Sequence, residues 1–372
     1  MASARKLHHI EGEFLMQNGS IKDPIIAYET WGDLNFLKDN AVLLFTGLSP
    51  SAHAASSTLD QSNGWWEQML GKGKPIDTDT YFVICINSLG SCFGSTGPAS
   101  VNPATGNQYG IDFPVVTIED IAASGQAVVE ALGVKHLYAV IGASMGAMTA
   151  LAHTVLYPNV AKGLVSISGN ARSEPFSIAI RSLQRQIIRS DPEWKNGSYA
   201  SSPVVGMRLA RKLGMLSYRS SAEFKQRFGR ERVPEERQTG DSFDIDFEVE
   251  SYLDAHAKKF TGNFDANCYL YLSRAMDLFD IADHGGSVEK ALSKVGAQRV
   301  MVIGVETDLL FPIHQQEELV DGLSSSGREV QFHRLNSLQG HDAFLVDMDQ
   351  FRPIICDFFN CSMNQPGQLR SI

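Results

Sequence analysis

Short apolar runs, each bounded by turn residues, recur along the chain. Six of them lie at residues 41–47, 81–87, 136–143, 163–169, 299–305 and 329–335. They are rich in β-branched and other apolar residues, and we interpret each as a strand that is buried on both faces. Strands of that kind are typical of parallel sheets, whose faces are covered by helices.

The segments between these runs carry helix signals. Residues 117–133 begin with Thr117, a residue suited to an N-cap, and Asp120 follows three positions later as in a capping box. Gly133 is a typical C-terminal stop. Residues 145–157 follow the third run directly and end before a proline. Strands that alternate with helices of about 10–15 residues predict a doubly wound α/β fold.

The stretch from residue 171 to residue 296 breaks this alternation. Helical periodicity dominates it, most clearly at residues 176–190 and 247–260, and strand signals fade. We interpret residues 171–296 as a helical insertion, called the lid below. It is set into an α/β core formed by residues 1–170 and 297–372.

Composition and charge narrow the functional classes. The chain has 372 residues, of which 43% are hydrophobic and 20% are charged, as expected for a globular protein. Its net charge of −10 argues against a dedicated nucleic-acid binder. The sequence has no apolar leader and no apolar run of the roughly 20 residues that a membrane span needs. The five cysteines are scattered without a C-x-x-C pair, so we predict a cytoplasmic protein without a metal site.

The strongest local motif is G-x-S-x-G at residues 142–146, with Ser144 at its centre. A sharp turn between a strand and a helix holds such a serine hydroxyl above the edge of the sheet, and the glycines let neighbouring backbone come close. The bare pattern also arises by chance in a chain with 32 glycines. An apolar run before it and a helix-forming run after it favour a nucleophilic serine over an incidental turn serine.

A nucleophilic serine needs a base and a residue that orients the base. In hydrolases with this motif, the acid and then the histidine follow the serine along the chain. Asp308 follows the fifth apolar run, and His341 follows the sixth in a late loop. We therefore predict a triad of Ser144, Asp308 and His341. Asp342 and Asp347 are rival acids, but both lie too close in sequence to His341 to come from the expected strand end.

Six segments carry a family resemblance: AYETWGDLN (27–35), GLSPSAHAA (47–55), the block 64–106, GASMGAM (142–148), TDLLFP (307–312) and GHDAF (340–344). Through them the chain resembles the homoserine O-acetyltransferase-like branch of the α/β-hydrolase superfamily over nearly its whole length. The block 64–106 is specific, since plain esterases and lipases do not share it. Within that branch, the lid segments 177–185, 206–214 and 246–260 are most similar to serine O-succinyltransferases.

The resemblance implies an α/β-hydrolase fold and a ping-pong transfer of an acyl group from acyl-CoA to the hydroxyl of an amino acid. Ser144 would attack the thioester with His341 as base and Asp308 holding the imidazole. By position, the backbone N–H groups of Leu48 and Met145 correspond to the oxyanion hole. The pathway implied is cysteine and methionine biosynthesis.

For the amino acid, the resemblance implies Arg211 as the partner of the α-carboxylate and Asp342 as the partner of the α-ammonium group. Tyr218 is a weaker candidate for the same pocket. Two plainer interpretations stay open at this point. Arg211 is also explained as a lid arginine paired with a surface acid, and Asp342 as a carboxylate that caps a loop.

The acyl donor is a separate question, because a succinyl group carries a carboxylate and calls for a cation that an acetyl group does not. Arg181 and Arg185 lie one helical turn apart, so both can face one site. Homoserine-succinylating relatives carry an arginine where this chain has Leu309 and Leu310, so we assign acyl specificity to Arg181 together with Arg185. Residues 171–237 hold 14 basic and seven acidic residues, which favours either attraction of the CoA phosphates or a solvated helix face.

The sequence therefore predicts a serine O-succinyltransferase-like enzyme that uses acyl-CoA as a co-substrate, needs no cofactor and binds neither nucleic acid nor membrane. The resemblance implies a homodimer. Homoserine O-succinyltransferase or O-acetyltransferase is the close alternative, because one methylene contributes only about 1–3 kcal/mol in a pocket. A serine esterase or thioesterase is the more distant alternative. A transferase must keep water from its acyl-enzyme, and the large lid together with Arg211 and Asp342 favours a transferase. A catalytically inactive binding module is disfavoured by the presence of all three triad residues.

Overall fold

The structure is a computed structural model that describes residues 4–238 and 240–360. Ten β-strands occur in these residues. They are β1 (Lys6–His9), β2 (Glu13–Met16), β3 (Gly19–Lys22), β4 (Ile25–Trp31), β5 (Ala41–Phe45), β6 (Phe82–Ile86), β7 (Leu137–Ala143), β8 (Ala161–Ile167), β9 (Arg299–Val305) and β10 (Glu329–Leu335).

Eleven α-helices occur in the same residues. They are α1 (Ile118–Ala131), α2 (Met145–Leu156), α3 (Pro175–Ser190), α4 (Val204–Tyr218), α5 (Ser221–Phe228), α6 (Glu248–Phe260), α7 (Ala266–Leu278), α8 (Val288–Leu292), α9 (Ile313–Ser325), α10 (Ala343–Val346) and α11 (Met348–Phe358). Short 3-10 turns lie between some of them, and the turn Gly340–Asp342 contains His341.

Across the described ranges, eight of the strands form one sheet in the order β1-β4-β6-β5-β7-β8-β9-β10, and β2 and β3 form a separate hairpin. Every neighbouring pair from β6 to β10 is parallel, whereas β1 and β4 join the sheet as antiparallel strands. The strand order reverses at β5, which lies between β6 and β7. Loops that follow the strands at such a reversal diverge and leave a crevice at the carboxyl edge of the sheet. The loop after β5 and the turn after β7 both open onto that crevice.

The six strands predicted from the sequence are present as β5 to β10, and the doubly wound α/β fold is confirmed. The prediction that all six are buried on both faces is wrong for β10, which lies at the edge of the sheet and is mostly half-buried or exposed. Helix α1 begins with the predicted capping box. Oγ of Thr117 accepts from the N–H of Asp120 at 3.2 Å, and the Asp120 carboxylate accepts from the N–H of Thr117 at 2.9 Å. The pattern does not predict β1 to β4, since β1 and β2 are mostly exposed and lack a continuous apolar run.

Two hydrophobic clusters cover the two faces of the sheet. Side chains along β5 alternate between them, because successive residues of a strand point to opposite faces. Leu43 and Phe45 belong to the cluster that includes α1 and α2, whereas Val42 and Leu44 belong to the cluster that includes α11. All four side chains are fully buried, which accounts for the uninterrupted apolar run that marks this strand in the sequence.

The lid contains α3 to α8, and none of the ten strands lies in its described residues. Its buried side chains Ile188, Met207 and Leu272 belong to the same hydrophobic cluster as Val140 of β7. The described part of the lid therefore has no hydrophobic core of its own and packs directly against one face of the α/β core. Its treatment as a separate domain stays a prediction, and residues 361–372 of the predicted core lie outside the described residues.

In the residues that the structure describes, no helix is both long enough and apolar enough to cross a membrane. Cys85, Cys92 and Cys268 are free thiols, whereas Cys356 is disulfide-bonded. The scatter of the cysteines is therefore not by itself evidence of a reducing compartment. The cytoplasmic location stays a prediction.

Candidate active site

Ser144 lies in the sharp turn between β7 and α2. Its backbone φ is +57° with ψ −126°, a strained conformation that a residue with a side chain keeps only when its surroundings impose it. A Cβ on Gly142 would lie 1.8 Å from the carbonyl oxygen of Gly146, and a Cβ on Gly146 would lie 2.3 Å from that of Phe45. Both glycines of the motif are therefore required for α2 to begin this close to β7 and β5.

Ser144, His341 and Asp308 form a continuous chain of hydrogen bonds. Nε2 of His341 lies 2.8 Å from Oγ of Ser144, and Nδ1 of His341 lies 2.7 Å from Oδ2 of Asp308. The other carboxylate oxygen of Asp308 accepts from the N–H groups of Leu310 and Phe311, each at 2.9 Å, which fixes its orientation. The structure thus brings the three predicted triad residues together in the order that removal of the serine proton requires.

The imidazole of His341 is buried and stacks on the ring of Phe311, with 4.9 Å between the ring centroids. Burial alone lowers the pKa of His341, but the negative charge of Asp308 and its hydrogen bond raise that pKa by more. The pKa of His341 therefore lies above its ordinary value of 6.5. With Nδ1 directed at Asp308, the proton is favoured on Nδ1, and Nε2 is left to accept from Ser144.

The two residues predicted for the oxyanion hole flank Ser144. Met145 is the first residue of α2, and an N–H in the first turn of a helix has no acceptor within that helix. Leu48 follows β5 on the other side of the crevice and lines the same cavity as Ser144. The positive end of the α2 dipole adds a field that favours negative charge at this point.

Arg211, Tyr218 and Asp342, the residues predicted to hold an amino acid, all line this cavity. The guanidinium of Arg211 lies over the rings of Phe260 and Tyr218, 4.5 Å and 5.3 Å from their centroids. Its Nε is buried and has no hydrogen-bond partner in the part of the chain that the structure describes. A buried donor of that kind costs free energy unless a bound molecule supplies the acceptor.

Asp342 is paired with Arg219, a residue that the sequence analysis does not identify. Oδ2 of Asp342 lies 3.3 Å from Nε of Arg219, while Nη1 of Arg219 donates to the side chain of Gln339 at 2.5 Å. Burial raises the pKa of Asp342 and is only partly opposed by the positive charges of Arg219, His341 and Arg211. A further cation beside Asp342 would therefore stabilise its ionised form.

Arg181 and Arg185 do not both line the cavity of Ser144. Arg181 lines it, whereas Arg185 lines a separate cavity. Asp277 of α7 lies between them, since one of its oxygens accepts from Nε of Arg181 and the other from Nη2 of Arg185, each at 2.6 Å. The prediction that Arg185 faces the acyl site is therefore wrong, because one turn of α3 carries Arg185 past Asp277 and away from Ser144.

The cavity that joins these groups has a volume of about 130 Å³. The α/β core contributes the serine, the histidine and the loop after β5 to its wall. The lid contributes Arg181 from α3, Arg211 and Tyr218 from α4, and Tyr269 and Met276 from α7. The reactive hydroxyl and Asp342 thus come from the α/β core, whereas both arginines of the cavity come from the lid.

Residues 40–347 match a family model described as the alpha/beta hydrolase fold. The chain belongs to the α/β-hydrolase fold family. The match spans most of the α/β core and the whole lid, so the predicted α/β-hydrolase fold with a helical insertion is confirmed.

Similar proteins place the chain more narrowly within the α/β-hydrolases. A serine O-succinyltransferase from Litchfieldella anticariensis is 53% identical over 96% of this chain and 99% of that protein. The crystal structure of a homoserine O-acetyltransferase from Bacillus anthracis matches with a TM-score of 0.88 at 29% identity, covering 97% of this chain and 98% of that chain. The predicted membership of the homoserine O-acetyltransferase-like branch is confirmed, and this α/β-hydrolase is an O-acyltransferase.

An esterase is similar as well. The crystal structure of esterase E22 matches with a TM-score of 0.86 at 31% identity, covering 95% of this chain and 99% of that chain. The α/β-hydrolase fold alone therefore does not separate transfer to an amino acid from transfer to water. The groups that line the cavity must make that distinction.

The pKa of His341 provides a direct test of the geometry. We expect it to lie above 6.5 and to fall in Asp308→Asn, because that variant loses the negative charge that opposes the effect of burial most strongly. NMR titration of the imidazole measures both values. Since the pKa is raised on folding, the histidine stabilises the folded protein at pH below about 6.5, and this contribution is lost as the pH rises through the folded-state value.

Asp349→Asn is the matched control for this titration, because Asp349 is an exposed carboxylate at the start of α11. The control should leave the pKa of His341 unchanged. An equal pKa in the wild type and in Asp308→Asn would show that the carboxylate does not act on the imidazole.

Proposed function

We propose that the chain transfers a succinyl group from succinyl-CoA to the hydroxyl of L-serine in two half-reactions. One observation carries the proposal. A single cavity places the Ser144–His341 pair beside two arginines, Arg181 and Arg211, and one carboxylate, Asp342. A dicarboxylic acyl group and a zwitterionic amino acid together present two carboxylates and one ammonium group, so the charges of the cavity complement those of the two substrates.

In the first half-reaction, Oγ of Ser144 attacks the thioester carbonyl while its proton moves to Nε2 of His341. The charge that develops on the carbonyl oxygen is stabilised by the N–H groups of Leu48 and Met145. The C–S bond then breaks, and His341 returns the proton to the departing CoA thiolate. Asp308 stabilises the imidazolium between these steps. The products are CoA and a succinyl ester on Ser144.

In the second half-reaction, the hydroxyl of the amino acid replaces the thiol. His341 takes its proton as the hydroxyl oxygen attacks the ester carbonyl, and it gives that proton back to Oγ of Ser144 when the ester bond breaks. O-succinyl-L-serine leaves, and the enzyme is restored. The new ester makes the β-carbon of serine easier to substitute, which is the basis for the proposed place in cysteine and methionine biosynthesis.

The acceptor is oriented by charges of opposite sign. The buried Nε of Arg211 lacks a hydrogen-bond partner, and the α-carboxylate would supply its acceptor. The α-ammonium group would lie beside Asp342, where it joins Arg219 in neutralising a carboxylate whose pKa is raised by burial. Tyr218 lies under the Arg211 guanidinium and limits its movement.

The donor acyl group is recognised by Arg181. Asp277 is one carboxylate shared by two guanidinium groups, so the trio of Arg181, Arg185 and Asp277 has a net charge of +1. That unbalanced charge is buried, since Arg181 is 5% exposed. The free carboxylate of a succinyl group would balance it, whereas an acetyl group would not.

In this proposal, acyl-CoA is a co-substrate and no cofactor takes part. The acceptor is L-serine rather than L-homoserine because the serine O-succinyltransferase is the more similar relative.

The chain forms a homodimer, which would cover exposed apolar side chains of α3 and α4 such as Phe176, Val205 and Leu209. Light scattering that gives the mass of one 40.8 kDa chain would contradict the dimer.

Hydrolysis is the second candidate function, favoured by the similarity to esterase E22. A four-way assay separates the two: succinyl-CoA or acetyl-CoA with L-serine or L-homoserine, with thiol release followed and products weighed by mass spectrometry. We expect thiol release that depends on the amino acid, and O-succinyl-L-serine as the main product. Thiol release without an acceptor and free succinate as the only product would instead assign hydrolysis.

Ser144→Ala should reduce thiol release by about 10³-fold or more, because it removes the hydroxyl that attacks the thioester.

Arg211→Ala should raise the KM for L-serine and leave the KM for succinyl-CoA nearly unchanged, because it removes the partner of the α-carboxylate. We expect a change of about ten-fold or more, as for a lost charge-assisted bond. Lys212→Ala is the control, since Lys212 is the next residue of α4 and pairs with Asp254 at 3.0 Å outside the cavity. A larger effect on the KM for succinyl-CoA than on that for L-serine would remove Arg211 from the acceptor site.

Arg181→Gln should lower kcat/KM for succinyl-CoA about ten-fold relative to acetyl-CoA, because it removes the cation that faces the cavity. Arg185→Gln removes the same charge and an equivalent bond to Asp277, but at a residue that does not line the cavity of Ser144. The ratio of the two donors should therefore change only in the first variant. The same change of ratio in both variants would contradict a direct contact with the succinyl carboxylate.

A further inference from the structure

A second cavity, of about 390 Å³, lies between α3 and α7 and has three arginines in its wall. Arg185 and Arg189 lie four residues apart on one face of α3, and Arg274 comes from α7. Its other lining residues are Val115, Ser182, Gln186, Leu270 and Tyr271. It shares no lining residue with the cavity of Ser144.

The positive charge of this second cavity is poorly balanced. No carboxylate of the described residues lines it, and the acidic partner that these residues provide for Arg185 is Asp277, which Arg185 shares with Arg181. Arg189 lies over the ring of Trp194 at 5.3 Å, and within the described ranges neither Arg189 nor Arg274 forms an ion pair. Asp112 is near enough for its charge to add to burial in raising the pKa of Tyr271, but it is not part of the wall.

Three guanidinium groups in one concave site match the chemistry of phosphate. A guanidinium presents paired N–H donors that fit two oxygens of a phosphate group, and its charge is independent of pH in the physiological range. Arg189 and Arg274 offer such pairs, whereas Nη1 and Nη2 of Arg185 already donate to Ser273 and Asp277, so Arg185 adds mainly positive charge. The volume exceeds the needs of a single phosphate ion, and the wall also offers the apolar surface of Val115 and Leu270 and the ring of Tyr271. The site therefore suits a phosphate that is carried on an organic molecule.

We propose that this cavity binds the phosphate groups of a small phosphorylated molecule. Two sources share that chemistry. One is the acyl-CoA donor, an assignment that rests on the proposed function, and the other is a separate phosphorylated ligand. Asp277 connects the two cavities, since it binds Arg181 in the wall of one and Arg185 in the wall of the other.

The first experiment measures binding without reference to catalysis. Adenosine 3′,5′-bisphosphate is titrated calorimetrically into the wild type and into Arg189→Ala/Arg274→Ala. Both side chains are exposed, and neither forms an ion pair with a residue that the structure describes, so the variant should fold normally, while Arg185 is kept because of its bond to Asp277. We expect binding at least about ten-fold weaker in the variant.

Lys225→Ala/Arg230→Ala is the matched control, because it removes two exposed positive charges of the same lid outside the cavity. It should bind the bisphosphate as the wild type does. Equal binding by the wild type and both double variants, or equal weakening in both variants, would overturn the proposal.

The second experiment distinguishes the two sources by using two donors, succinyl-CoA and the succinyl thioester of N-acetylcysteamine, which carries no phosphate. If the cavity holds the phosphates of the donor, Arg189→Ala/Arg274→Ala raises the KM for succinyl-CoA alone. If it holds a separate ligand, bisphosphate binding weakens while both KM values stay unchanged. A wild type that releases thiol from neither donor would refute the proposed function and leave the binding result standing.

Discussion

The close contact between the end of β7, the start of α2 and the end of β5 is the constraint on which the rest of the site depends. It exists only because Gly142 and Gly146 lack side chains that would meet backbone atoms. This packing holds Ser144 at a φ of +57° and places its Oγ 2.8 Å from Nε2 of His341. The strain at one residue is therefore maintained by packing at two others, which is how a folded core fixes a conformation that an isolated chain avoids.

The position of β5 in the sheet extends this arrangement. Because the strand order reverses there, the loop with Leu48 and the turn with Ser144 open toward the same crevice. Asp308 and His341 arrive from the chain beyond the lid, after β9 and β10. The reactive groups are thus all provided by the α/β core, while the lid provides Arg181 and Arg211. This division would allow lid side chains to change which substrate is bound while the reactive groups of the core stay the same.

Local signals made the core predictable. Continuous apolar runs identify β5 to β9 because those strands are buried on both faces. The order of serine, acid and histidine along the chain is the one that hydrolases with the G-x-S-x-G motif share. The exposed N-terminal strands carry no such signal. The sequence does not reveal the roles of Arg219 and Asp277, because their partners are distant along the chain. Arg219 pairs with Asp342, and Asp277 pairs with Arg181. Helical spacing accounts for the fact that Arg181 and Arg185 both bind Asp277, but it could not show that the two arginines line different cavities.

The shared hydrophobic cluster of lid and core limits how substrates can reach Ser144. Ile188, Met207 and Leu272 of the lid are buried with Val140 of the sheet, so swinging the lid away as a rigid body would expose apolar surface at about 25 cal/mol per Å². Rearrangement of a few side chains along the wall of the cavity would avoid that cost. The lid of this enzyme is therefore better regarded as a fixed part of the cavity wall than as a hinged cover, and substrate exchange is expected to depend on side-chain movements within that wall.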